Sequence, residues 1–214
     1  TITVITNDVI RQQGATTLVD ALRNTPGITM QLGENGNTSA GDTFQLRGFS
    51  AQSALFLDGI RDMGAVSRDT FNIEQIEIAK GPAGADIGRG ASSGYINLVS
   101  KLPSLAGGTS ISATGYSQGG ARLTADTGFA TGDSSAVRLN VFTQDVDTAG
   151  RNLVNRSGWG VAPAWGIGLG GDTRFYVLGQ YIKQDNVPDG GIPTIGYEGF
   201  YNANANLNAG KRVD

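Results

Sequence analysis

Arg61 and Arg68 stand seven residues apart in the string DGIRDMGAVSRDTFN, between an Asp58-Gly59 turn and Asp69-Thr70. Two guanidiniums on one projecting loop can reach a single ligand if the loop folds back on itself, and their forks of N–H donors suit an anion. Asp62 and Asp69 are near enough in sequence to neutralise both cations locally, so the loop reads either as an anion-capturing tip or as a self-paired one. Either way the chemistry on offer is recognition. The 214 residues include no Cys and no His, which removes the familiar zinc sites, disulfides, thiol nucleophiles and His-based triads. The acidic residues show no EF-hand spacing, and no nucleophile, base and orienter stand out together. No catalytic residue, resident metal or cofactor is expected, and an enzyme is disfavoured.

Charge and composition narrow the class further. Lys and Arg number 16 against 19 Asp and Glu, a net charge of -3. A nucleic-acid surface would show clustered basic charge, so that class is set aside. With 33 Gly and 39% hydrophobic residues, the chain suits short strands and many turns rather than a helical bundle. No apolar run is long enough for a transmembrane helix, so a membrane location would have to be reached as a barrel.

The elements that must position those arginines divide at a change of texture. Residues 1–103 read as mixed α/β. Ile2 to Ile5 alternate as a strand, Asn7-Asp8 can cap a short helix running to Gln13, and Thr17 with Asp20 has capping-box spacing before a second helix that Pro26-Gly27 stops. Strands are expected at 44–47, 55–57, 73–79 and 95–99, with a helical turn at 82–87 led by Pro82. Past a linker, KLPSLAGG, residues 104–214 become polar, Gly-rich strands separated by turns. Leu123, Ala125, Thr127 and Phe129 alternate with Arg122, Thr124, Asp126 and Gly128. Trp159, Val161, Trp165, Ile167 and Leu169 are expected on one apolar face, with Gly and Ala on the other. One apolar and one polar or tiny face fits transmembrane β-strands with a wet lumen, and also a soluble β-sandwich.

Four motifs in fixed order decide between them. Leu46-Arg47-Gly48-Phe49, Leu57-Asp58-Gly59, Ile76-Glu77-Ile78-Ala79-Lys80-Gly81-Pro82 and Gly94-Tyr95-Ile96-Asn97-Leu98-Val99-Ser100-Lys101 together resemble the plug domain of TonB-dependent outer-membrane receptors. The resemblance implies an α+β plug domain at 1–103, followed at 104–214 by antiparallel strands of a transmembrane β-barrel. Roughly five strands are legible, too few to close around a plug, since plugged transporters are 22-stranded. An N-terminal fragment of a longer receptor is therefore expected, with the TonB box and signal peptide before Thr1.

The resemblance also implies roles. Arg47 and Lys80 match the family's plug–barrel lock, in which plug cations pair with barrel glutamates. Lys80 stands where Arg is usual and forgoes a bidentate fork; both could also be plain solvated strand charges. The outward plug loops would be 30–42, 50–53 and 60–69, and with the string from Asp185 to Tyr201 they look like the ferric catecholate branch of siderophore receptors. A ferric tris-catecholate is an anion bearing flat rings, so the expected ligand residues are Gln31, Gln52, Arg61, Met63 and Arg68 of the plug, with Tyr197, Phe200 and Tyr201 of the barrel loops. The expected partners are a ferric catecholate siderophore, TonB with its inner-membrane energy-coupling complex, and outer-membrane lipid. Open alternatives are another chelate such as a hydroxamate or citrate, cobalamin or a glycan on the same fold, or a β-rich surface adhesin without transport.

Overall fold

In the computed structural model, residues 2–31, 41–64, 66–81 and 93–187 are described, with the side chain of Gln52 left aside. The chain opens with β1 (Ile2–Thr6), α1 (Asn7–Gln12), α2 (Leu18–Leu22), β2 (Ile28–Met30), β3 (Phe44–Leu46) and β4 (Phe49–Ser50). It continues through a 3₁₀ turn (Gln52–Ala54), β5 (Leu55–Leu57), β6 (Ile60–Arg61), β7 (Ile73–Lys80) and β8 (Gly94–Ser100). A five-stranded sheet runs in the order β1-β7-β8-β5-β6, parallel only between β5 and β8. β7 turns Ile76 and Ile78 inward every second residue, as a strand with one buried face must. They join a core with Leu18 and Leu22 of α2, Leu46, and Ile96 and Leu98 of β8.

The capping box is present: Thr17 accepts from the Asp20 backbone N–H at 3.2 Å, and its hydroxyl donates to Asp20 Oδ2 at 2.8 Å. Asn7 corrects the expectation for α1. It is the first helical residue rather than the cap, and its amide donates to the Ile73 carbonyl at 2.8 Å, tying the helix to β7. The Arg47-Gly48 and Asp58-Gly59 pairs both have positive φ between strands paired on either side, the condition for two-residue type I′ hairpins. Asp58 is held by Ser100, whose N–H and hydroxyl donate to its carboxylate at 2.8 and 2.7 Å. Gly94, at φ 123°, has the Ala79 carbonyl where a Cβ would stand, so β7 and β8 can close only around glycine.

The second sheet holds β9 (Gly108–Gly115), β10 (Gly120–Gly132), β11 (Ser135–Asp147), β12 (Asn155–Ile167), β13 (Phe175–Leu178) and β14 (Tyr181–Asn186), all antiparallel. β13 and β14 both pair with β12 in one register, and their ladder lapses opposite Pro163. Pro163 accepts from the Gly179 N–H at 3.0 Å but has no N–H to return. Register aligns Leu123, Thr143, Trp159 and Lys183 on one rung, and Ile111, Ala125, Val141, Val161 and Tyr181 on another. This face points away from the first unit; Trp159 and Trp165 are each 46% exposed, and Trp159 stacks on Tyr181 at 5.3 Å. Leu169 departs from the expectation: it lies past the end of β12, is buried, and turns back over Gly166. On the opposite face Gly160 leaves the space that the Phe142 ring fills.

Candidate functional site

The loop between β6 and β7 is built around the side chain of Arg68. Its Nε donates to Asp62 Oδ2 at 2.9 Å, Nη1 to the Val66 carbonyl at 3.0 Å and Nη2 to the Gly64 carbonyl at 2.7 Å. Its backbone N–H donates to Asp42 Oδ2 at 2.8 Å, and Nη1 lies 3.5 Å from the same carboxylate. Arg68 is therefore buried inside the loop and paired with Asp62, which is the self-paired one of the two readings that the sequence left open. Five N–H donors in one plane can gather a turn's carbonyls and a carboxylate together, and Asp62 is near enough to be drawn in. Arg61 instead lies on exposed β6, its guanidinium 5.6 Å from the centre of the Phe56 ring. Met63 is 69% exposed and Val66 is also exposed, so this tip presents apolar surface beside one outward cation.

Asp42 sits beneath the loop. Burial pushes its carboxyl up to about 6, against the opposing pull of Arg68, and among the described residues its Oδ1 has no hydrogen-bond partner. An ion in so enclosed a place has lost more hydration than its pairing returns.

The end of this loop is fixed to the second sheet. Asp69 receives Arg122 Nη2 at 2.6 Å and Nη1 at 2.7 Å, and the two side chains are 3% and 6% exposed. Phe71 packs on Phe142 with ring centres 4.7 Å apart, and the Arg122 guanidinium lies 4.7 Å from the centre of the same Phe142 ring. Asn72 donates to Gln180 at 3.1 Å, and Gln184 to the Ser67 carbonyl at 3.2 Å. Arg122 and Gln184 lie at the end of the sheet opposite the tight Asp133-Ser134 turn, so loop 62–69 faces that end. Farther along, Lys101 donates to Asp126 and Asn140 at 3.1 and 3.2 Å, and Arg138 grips Asp126 with two bonds of 2.8 Å. Burial holds the Lys101 ammonium below the ordinary lysine range, opposed by Asp126. A cavity of about 1070 Å³ separates α1 from the polar face of β9 to β11, where Arg11, Ser112, Thr124 and Arg138 line it.

The remaining expected residues are scattered. Gln31 is exposed at the end of β2, its backbone bonded to Thr43. Gln52 opens the 3₁₀ turn. Arg47 is exposed with φ 54°, and Lys80 is half-buried at the end of β7; among the described residues no ion pair involves either. Tyr197, Phe200 and Tyr201, and the turn expected at 82–87, lie outside the described residues. In the sequence Asp69 was read as a local partner for the loop arginines and Arg122 as one residue of a polar strand face, while Phe142 went unnoticed. A lumen-facing Arg on β10 announces that it needs a carboxylate, but nothing in one sequence says which. Among the described residues no group of three or more acidic side chains could hold a metal ion.

Residues 1–95 match the family model described as the TonB-dependent Receptor Plug Domain. The whole chain aligns at 46% identity with the catecholate siderophore receptor Fiu of Escherichia coli K12, covering 29% of that protein. A crystal structure of Fiu, described as the closed form of a ferric-catecholate import receptor, superposes with a TM-score of 0.85 at 48% identity, over 92% of this chain and 28% of that one. The siderophore receptor PiuA of Acinetobacter baumannii superposes with a TM-score of 0.82 at 36% identity, over 91% of this chain and 28% of its own. The chain thus spans under a third of the length of these relatives.

Proposed function

We propose, given that this chain belongs to the TonB-dependent receptors and carries their plug and first barrel strands, that the whole protein is an outer-membrane active transporter. It binds a ferric catecholate siderophore from outside the cell and imports it when TonB, driven by its inner-membrane complex, pulls on the plug. The observation that carries this reading is the extent of the likeness to Fiu: it runs the full length of the chain, through loop 62–69 as well as the plug strands.

The chemistry of the tip is consistent with such a ligand. A ferric tris-catecholate presents flat rings and spread negative charge, and Met63, Val66 and Arg61 offer a soft apolar face beside a guanidinium. The chelate is taken whole, and iron keeps its own ligands. Gln31, Gln52, Tyr197, Phe200 and Tyr201 complete the binding surface in this proposal. Arg47 and Lys80 form, in this proposal, the plug side of a lock with acidic residues of the barrel wall.

The direct test is titration of the purified full-length receptor with a ferric catecholate, a ferric hydroxamate, ferric citrate and cobalamin. Saturable binding of the catecholate in preference to the others is expected. Preference for another ligand would reassign the substrate within the fold, and a protein that binds none of them and stays monodisperse without detergent would be an adhesin.

A further inference from the structure

We infer that Arg122, on the barrel wall, is a positioning residue for plug loop 62–69: it holds the loop in its binding shape without touching the ligand. Its guanidinium gives both Nη groups to Asp69, and Nη1 also donates to Gln144 Oε1 at 2.5 Å. One face of it is covered by the Phe142 ring. With its side chain only 6% exposed, the guanidinium is turned to these partners rather than to a chelate. Its effect passes through Asp69. The other end of that carboxylate's work is in the plug, where Asp69 Oδ1 accepts the Phe71 N–H at 2.8 Å. Phe71 in turn packs on Phe142, so residues 69–71 of the plug and three side chains of the wall form one packed unit.

The residue before Asp69 is Arg68, around which the loop is wound. One peptide bond therefore joins the anchor in the wall to the residue that shapes the tip carrying Met63 and Val66. The polarity is also opposite to that of the Arg47 and Lys80 lock, with the acid on the plug and the cation on the barrel. Loss of Arg122 would strand the Asp69 carboxylate in an enclosed place, and the segment would have to move to rehydrate it. A loop freed in this way must be ordered again each time ligand binds, which weakens affinity even though the tip still meets the ligand through the same side chains.

The affinity part of this inference rests on the catecholate reading; the anchoring part does not. The test uses the full-length receptor in lipid, comparing Arg122→Ala, Arg122→Lys and the exchanged pair Asp69→Arg with Arg122→Asp. Hydrogen exchange across residues 62–72 and affinity for a ferric tris-catecholate are measured on each. Arg122→Ala is expected to speed exchange across the segment and to weaken binding about tenfold or more. The exchanged pair is expected to recover a good part of both, and Arg122→Lys to fall between. Unchanged exchange in Arg122→Ala overturns the inference. So does weakened binding with unchanged exchange, which would make Arg122 a ligand-touching residue. Failure of the exchanged pair to recover exchange protection, while Arg122→Lys behaves as wild type, also overturns it. If the wild-type receptor binds no catecholate, the substrate reading fails and the exchange measurements alone decide the anchor. If Arg122→Ala does not fold, Arg122→Lys and the exchanged pair carry the same comparison.

Discussion

Asp42 shows how far burial can alter one side chain. With its carboxyl raised to about 6 from an ordinary value of 3.8, the folded protein holds more protons than the unfolded chain between those pH values. The cost of the buried charge is therefore fully present above pH 6, fades as pH falls through 6 towards 4, and is absent below that. It amounts to no more than about 2 to 3 kcal/mol at neutral pH. Asp42→Asn in the full receptor should flatten that part of the pH dependence of plug unfolding between pH 7 and 4; an unaltered profile would show that Asp42 titrates normally. The loop proposed to meet the ligand gives a second prediction for single side chains. Arg61→Ala should weaken ferric catecholate binding by about ten-fold or more through loss of a charge-assisted interaction, measured by titration of the full receptor. Arg68→Ala should instead loosen the loop, raising exchange at Gly64 and Val66. Local pairings such as Thr17 with Asp20 were legible because their spacing is itself the signal. Arg68 was legible as a cation but not as a buried one, since Asp42 lies 26 residues away and only the fold brings it under the loop. Asp69 and Arg122, separated by 53 residues, were invisible as a pair for the same reason.

Strands of the second sheet were easier to read than plug elements because each keeps its alternation over 13 residues in β10, β11 and β12. One residue of slip would exchange the apolar face for the Gly and Ala face, so the pattern permits one assignment. Val161→Arg, on the apolar face, should cost about 2 to 4 kcal/mol of barrel stability if it lies near the bilayer midplane. Folding titrations in lipid vesicles would measure it, and no change would place Val161 on the wrong face. Gly160→Val tests the opposite face. Its branched side chain would meet Phe142, displace the ring that Arg122 and Phe71 both touch, and should cost about 1 to 3 kcal/mol as an overpacked site does. The short plug elements were less legible: Asn7 has the composition of a cap, yet its amide is used on β7. Pro163 shows why β13 and β14 are separate, since the missing donor interrupts a ladder whose register never shifts.

Across the molecule, the plug unit and the six-stranded sheet of β9 to β14 are joined by polar pairs at several heights of the wall: Asp69 with Arg122, Asn72 with Gln180, and Lys101 with Asp126. A small α/β unit held against a barrel wall by paired charges and amides can be seated firmly and still be released, because such pairs can be exchanged for water, whereas a continuous apolar core cannot without large loss. The plug motifs made this architecture readable from sequence. The seating pairs became visible only in the folded chain, because lumen-facing Arg, Asn and Gln can each find several partners. TonB-driven import of a ferric catecholate is the function proposed for the whole receptor, and transport itself decides it. The full-length gene is expressed in cells lacking their own catecholate receptors, with and without functional TonB, and uptake of iron-labelled ferric catecholate is followed. Saturable accumulation that requires both the receptor and TonB is the predicted result. Equal accumulation without TonB, or none in either background with the receptor folded in the outer membrane, would contradict it.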